Sequence, residues 1–535
     1  MTDPRRDGVK PPPNIVFIIT DQHRADHLGC YGNKIVKTPH IDALAARGMR
    51  GTNCTVTSPI CMPSRASFMT GRMPSVHGVR HNGIELSHAE MTITDALMMA
   101  GYETALAGKS HLQCMLDAPP QIPVDPRERL AREARPRAPG VYNQEVGARW
   151  ENDPAHDITL PYYGFNNVHL TIEHGDDELG HWRRWLRQTV KEADKLIGVE
   201  NAIPTPEIAL VAAKQAWRTR VPEELYPTSW ITDRTIDLMR DFTASQKPFF
   251  IQVSYPDPHH PFTPPGKYWS MYRPEDVELP PSFHAEHRDL PPHVASAWAA
   301  RDAGKAVKHT PMLFACTERE AREAIALNYG SISMIDDNVG RIVAELERLG
   351  IADNTIIVFT ADHADYMGDH QLLLKGPLHF RDLIRVPFIW VDPAMKNGGR
   401  VTDAMIQNID FAPTILERTG AEPWYGIQGR SLAPLLAGET DSFYDDVLIE
   451  EESQRRYLCF TDRVKMRSLV TPTHRLSVFS GQSWGELYDL RDDPLETVNL
   501  FDDPVARAMK GELMERLNRR MLDYIETSPY PDYVA

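Results

Sequence analysis

The stretch NIVFIITDQ, residues 14–22, sets five consecutive apolar residues, Ile15 to Ile19, one threonine away from a carboxylate and a carboxamide. The run is too short to cross a membrane, and uninterrupted branched and aromatic side chains are what a strand covered on both faces requires. Further runs of the same kind lie at 104–107, 249–253, 356–359 and 388–391. All five are read as buried parallel strands. Between them the pattern changes to helical spacing, most clearly at Ile332, Ile335, Val339, Ile342, Val343, Leu346 and Leu349, with Gly350 as a C-cap before the next strand. Alternating strands and helices imply an α/β fold, a sheet with helices on both faces.

The residues after each run carry the chemistry. The first run leads into Asp21-Gln22, the second into Lys109-Ser110-His111, the third into Ser254 and YPDPHHPF, the fourth into Asp362-His363. Open α/β sheets bind ligands at the carboxyl ends of their strands, so four strand ends deliver acids, a lysine and histidines to one site. Asp21, Gln22, Asp362 and His363 offer two carboxylates, an amide oxygen and an imidazole. That set suits a hard divalent cation such as Ca²⁺, Mn²⁺ or Mg²⁺ better than a thiolate zinc site. Taken singly, an aspartate after a strand is as well explained as a helix N-cap.

Cys61 stands in SPICMPSRASFMTGRMPSVHG, residues 58–78. The chain has six cysteines, Cys30, Cys54, Cys61, Cys114, Cys316 and Cys459, with no CxxC pair, which fits a reduced compartment. Beside Pro63, Ser64 and Arg65, Cys61 reads poorly as a disulfide, a zinc ligand or a papain-like nucleophile. Residues 61–71 fit the pattern CxPSRxxxxTG, and further blocks follow in matching order: GKSH, PHHPF and TADHADYMGDHQLLLKG, with YGNKIVKTPHIDALAARG and LYDLRDDPLETVNL towards the two ends. Together these resemble the formylglycine-dependent type I sulfatases of the alkaline phosphatase superfamily, close to the arylsulfatase, choline-sulfatase and phosphonate monoester hydrolase branch.

The resemblance implies that Cys61 is converted to formylglycine by a maturation enzyme, and that the hydrated aldehyde attacks sulfur. Its second hydroxyl can then expel sulfate, a release that a thiolate lacks. By motif position the metal ligands would be Asp21, Gln22, Asp362, His363 and an oxygen of modified Cys61. The preferred ion is Ca²⁺, with Mn²⁺ or Mg²⁺ as alternatives. Arg65 would hold the hydrate and support the metal-binding acids, and Lys109 would bind the diol and a sulfate oxygen. His111 and Lys375 would face the leaving group, and His259 would take a proton as the intermediate collapses; His260 fills a variable slot and receives no role. The implied fold is alkaline phosphatase-like, a large mixed and mostly parallel sheet sandwiched by helices, with a smaller C-terminal α+β domain.

The expected catalytic domain spans 1–438, with an insertion at about 115–247 acting as a lid or oligomer contact, and a small domain spans 439–535 with antiparallel strands and a terminal helix. Trp182, Trp185 and Leu186 within the insertion have the spacing of an ordinary packed helix. A formal net charge of -16 argues against a nucleic-acid partner, and no run of the sequence is long and apolar enough for a membrane span. The apolar run after three N-terminal prolines reads as a strand and not a secretory signal, which places the protein in the cytoplasm. A homo-oligomer is expected. The substrate class is a small-molecule sulfate ester of the aryl sulfate type. Gln22 and His363, where many relatives carry Asp and Asn, also resemble phosphonate monoester hydrolases, leaving phosphonate or phosphodiester hydrolysis as the alternative. Lys109 and His111 favour the sulfatase reading. A binding protein with unmodified Cys61 is the third possibility.

Overall fold

The computed structural model describes residues 11–118 and 137–533. In chain order its first twelve strands are β1 (Asn14–Thr20), β2 (Met49–Thr55), β3 (Glu103–Lys109), β4 (Asn167–Ile172), β5 (Leu179–Gly180), β6 (Phe249–Tyr255), β7 (Phe314–Ala315), β8 (Thr355–Ala361), β9 (Leu372–Leu373), β10 (Arg385–Val391), β11 (Arg400–Thr402) and β12 (Ile406–Gln407). Ten of these form one sheet in the order β11-β2-β10-β8-β1-β6-β3-β4-β5, with β12 also on β2, while β7 and β9 pair as a separate ribbon. At its centre β8, β1, β6 and β3 run parallel, so four carboxyl ends lie side by side.

The fifth apolar run departs from the expectation. β10 is antiparallel to both β8 and β2. A continuous apolar run reports burial on two faces and carries no direction. The chain leaves β8 and re-enters β10 at the same end of the sheet, without the crossover helix that a parallel return needs.

Alternation along β1 divides the core. Val16 and Ile18 join one apolar cluster, with Trp230, Met239, Ile332 and Ile335 of the helices Pro227–Ser245 and Glu318–Arg348. Ile15, Phe17 and Ile19 join the other, with Phe68 of the helix Cys61–Thr70 and Phe411 of the helix Phe411–Thr419. The Glu318–Arg348 helix starts earlier than the apolar spacing alone suggests, because Thr317 and Glu320 form a capping box. It ends one residue before Leu349, and Gly350 has a φ of +69°.

Part of segment 115–247 belongs to the sheet itself, since β4 and β5 extend it beyond β3. Trp182 and Leu186 are buried on the helix His181–Thr189, and the Trp182 indole donates to the Leu225 carbonyl at 2.9 Å. This is ordinary packing. Towards the C-terminus β13 (Val447–Glu452), β14 (Lys465–Val470), β15 (His474–Phe479) and β16 (Gly485–Asp489) form an antiparallel sheet. The helix Arg507–Asp523 packs Leu513 and Leu517 against Leu448, Leu469, Leu476 and Leu487 of that sheet. His379, in the loop between β9 and the helix Arg381–Ile384, meets the C-terminal sheet at Ser468 (2.8 Å) and Glu451 (3.0 Å). No helix among the described residues is long and apolar enough to cross a membrane.

Phe17 is fully buried, with its ring 4.1 Å from that of Phe411 and 5.6 Å from that of Phe68. Phe17→Ala is expected to lower stability by about 3–5 kcal/mol, read as a fall in the urea midpoint with the slope unchanged.

Candidate active site

Cys61 is the first residue of its helix, follows the extended Ile60, and is 2% exposed. The site is therefore at a helix N-terminus, where unpaired N–H groups favour negative charge. Asp21 follows β1, Lys109 closes β3 and Asp362 follows β8, all fully buried. Gly108 explains why the lysine is preceded by glycine. It has a φ of +109°, and a Cβ there would lie 1.9 Å from the Ser254 carbonyl oxygen, so a side chain would force β3 away from β6.

The structure brings Asp21, Cys61, Asp362 and His363 together, with one ligand atom from each all within 4.8 Å of one another. Cys61 Sγ lies 3.0 Å from His363 Nε2 and 3.9 Å from Asp21 Oδ1, and His363 Nε2 is 3.4 Å from that same oxygen. His363 Nδ1 lies 2.9 Å from the Ala364 carbonyl, and donating there leaves Nε2 with its lone pair towards the cluster, the tautomer a metal needs. Hard carboxylate oxygens and one imidazole nitrogen fit a divalent cation, with residue 61 as a further donor. Gln22 lies alongside with a φ of +60°. Its N–H donates to Asp362 Oδ1 at 3.1 Å, its Oε1 accepts from Lys375 Nζ at 2.6 Å, and its Nε2 faces Asp365 and His260.

Cations balance the buried acids. Arg65 Nε donates to Asp362 Oδ2 at 2.8 Å, Nη1 donates to Ser254 Oγ (2.8 Å) and to the Lys109 carbonyl (3.0 Å), and Nη2 lies 3.5 Å from Asp21 Oδ2. Lys109 Nζ bonds Asp21 Oδ2 and lies 2.6 Å from His174 Nε2. Burial pushes the Asp21 carboxyl up, but Lys109, His259, the His174 hydrogen bond and Arg65 outweigh it and hold the group well below the usual range. For the Cys61 thiol, burial and Asp21 push up, while Lys375, His363 and Lys109 prevail and leave it below its ordinary value.

His259 Nε2 lies 2.7 Å from Lys375 Nζ, and its ring stacks on His174 at 3.7 Å and 13°. Burial, His174 and Lys375 push the imidazole well below its usual value, so it is neutral. His260, given no role from the sequence, stacks on His259 at 4.1 Å and meets Gln22.

His111 enters on a backbone with φ of +57°. Glu145 holds that turn: its carboxylate accepts the N–H groups of His111 (2.8 Å), Gln113 (3.0 Å) and Leu112 (3.1 Å), and the Tyr162 hydroxyl. His111 Nδ1 is buried without a partner among the described residues. Burial raises the Glu145 carboxyl despite these donors.

The sequence reading missed His174, Glu145 and Asp365. His174 and Glu145 lie in the polar segment after Met115, where no apolar pattern or motif marks them. Asp365 lies inside the quoted TADHADYMGDH block, three residues past Asp362, and its place in that block was the available signal.

A family model described as Sulfatase matches residues 13–122 and 138–421, and one described as N-sulphoglucosamine sulphohydrolase, C-terminal, matches 368–523. An arylsulfatase of Clostridium perfringens is 29% identical over 508 residues, covering 92% of this chain and 90% of that protein. A choline-sulfatase of Rhizobium meliloti is 27% identical over 502 residues, covering 92% of this chain and 83% of that protein. Among solved structures, the phosphonate monoester hydrolase of Agrobacterium radiobacter superposes with a TM-score of 0.74 at 25% identity, covering 96% of this chain and 97% of that one.

Arg65→Met leaves the Asp21 and Asp362 carboxylates short of a cation, and it is expected to cost about 3–5 kcal/mol. A divalent cation binding those carboxylates at a hundred times its Kd returns about 2.7 kcal/mol. Thermal unfolding with chelator and with Ca²⁺ checks both: the midpoint should rise with Ca²⁺, and the rise should vanish in Asp362→Asn.

Proposed function

Because the chain belongs to the sulfatase family and is thereby a sulfuric ester hydrolase, we propose that its substrates are small sulfate monoesters of the aryl sulfate type, cleaved to an alcohol or phenol and inorganic sulfate at residue 61. The observation that carries this reading is the placement of Cys61, buried at a helix N-terminus, 3.0 Å from His363 Nε2, with Lys109, Lys375 and two carboxylates converging on it. Conversion of Cys61 to formylglycine supplies a hydrated aldehyde, a nucleophile that also has an internal route to release sulfate. Asp21, Asp362 and His363, with Gln22 and the residue 61 oxygen, would hold a divalent cation that supplies Lewis acidity and orients the sulfate. Ca²⁺ is our first choice, with Mn²⁺ or Mg²⁺ as the alternatives.

The chain's own residues divide the remaining work. Arg65 fixes Asp362 and Asp21 so that their outer oxygens are occupied and their inner ones face the centre. Lys109 and Lys375 place positive charge where the sulfate oxygens gain negative charge as the ester bond breaks. Lys375 donates the proton to the departing oxygen, beside His111 Nδ1, which has no partner among the described residues and is kept neutral by burial, Lys109 and Arg65, with Glu145 fixing the loop that carries it. Neutral His259 accepts the proton lost from the residue 61 hydroxyl when sulfate leaves.

Phosphonate monoester hydrolysis is the second reading, supported by the solved phosphonate monoester hydrolase and by the Gln22 and His363 pair. We assign 1–438 to the catalytic domain and 439–535 to the smaller one. The six free cysteines support a cytoplasmic setting, and the exposed Leu522 and Ile525 on the terminal segment support self-association. Substrate, maturation enzyme and a second copy are the partners this reading requires.

Protein from a host with the maturation enzyme should show the aldehyde form of the residue 61 peptide by mass spectrometry. In that form Cys61→Ala should lose about 10³-fold or more in kcat/KM on an aryl sulfate; undiminished turnover would overturn the assignment. Side by side at one metal concentration, kcat/KM should favour the aryl sulfate over the phosphonate monoester. The reverse order would establish the second reading.

A further inference from the structure

Where the C-terminal sheet meets β2 and β10, the chain forms a pocket of about 130 Å³ with a mouth at the surface, lined by Arg381, Arg385, Arg475, Glu496, Asn53 and Thr55 among others. None of its lining residues belongs to the Cys61 site. Arg475 is 1% exposed. Its Nη1 donates to Ser477 (2.8 Å) and Glu486 (2.9 Å), its Nε to Glu496, and its buried Nη2 has no partner among the described residues. Arg385 gives Nη2 to Asp382 at 3.0 Å and leaves its buried Nε unpartnered among the described residues. The Arg381 side chain makes no hydrogen bond or close ion pair among the described residues.

Glu496 is the one carboxylate lining the cavity among the described residues, and it is already engaged. One oxygen takes Arg475 Nε and the other takes the Arg381 backbone N–H at 2.6 Å. Charged donors therefore outnumber carboxylates around the pocket. That space is ample for a tetrahedral oxyanion with ordered water beside it.

We propose that this cavity is a second, non-catalytic oxyanion site that takes inorganic sulfate or phosphate between Arg381, Arg385 and Arg475. Guanidinium forks match pairs of oxyanion oxygens, and an ionic acceptor satisfies buried N–H groups more strongly than water does. The bound ion ties the turn after β14 to the ends of β2 and β10. Sulfate would come from the hydrolysis itself and phosphate from the surrounding solution.

The test uses the full chain. Crystals soaked in selenate should give an anomalous peak in the cavity, and titration calorimetry should show a sulfate-binding event that Arg381→Gln weakens about tenfold or more. Arg381 is exposed, so this variant should fold and turn over substrate normally in oxyanion-free buffer, whereas Arg475 variants would lose two buried ion pairs as well. Competition by sulfate or phosphate for the selenate position identifies the source, the tighter competitor being the occupant. Ordered water alone in the cavity at saturating selenate, or unchanged sulfate binding by Arg381→Gln, would overturn the proposal. Either result would leave the assignment of Cys61 intact, since no residue is shared.

Discussion

Burying Asp21 and Asp362 side by side is the constraint on which the rest of the site depends. A carboxylate moved out of water costs several kcal/mol unless paired and hydrogen-bonded, and both are fully buried. Arg65 reaches both, Lys109 takes the outer oxygen of Asp21, and the N–H groups of Gln22 and His363 serve Asp362. Each compensating group comes from a different element, and their geometry requires β8, β1, β6 and β3 to end in register. The parallel centre of the sheet is thus a condition for holding two acids close together.

The same accounting explains why the site draws on distant segments. Lys109 needs an acceptor beyond Asp21, and His174 supplies it after β4. Lys375, returning from the β9 ribbon, is bracketed by Gln22 and His259. His111 sits in a left-handed turn that three backbone N–H groups to Glu145 hold in place. A charged centre built this way is rigid before substrate arrives, as electrostatic stabilisation of a developing charge requires.

The C-terminal sheet is joined to this framework through polar contacts as well as apolar packing. Glu496 meets the Arg381 backbone and His379 meets Glu451, so the junction has its own buried charges. Arginines gather there because the helix Arg381–Ile384, the start of β10 and the start of β15 meet at the same edge.

The sequence by itself determined the central strands, the long helix after Thr317 and the motif residues, because two-sided burial, helical spacing and short catalytic blocks are local properties. It also grouped Asp21, Cys61, Asp362 and His363, and the tertiary structure brings those four within reach of one another. Tertiary structure alone decided the antiparallel direction of β10, since an apolar run has no polarity. It alone brought in His174 and Glu145, which lie in a segment whose residues look like solvated loop until β4 joins the sheet. The arginine pocket is likewise invisible in sequence, because Arg381 and Arg475 are far apart in the chain and line one space only when the C-terminal sheet packs near β2 and β10.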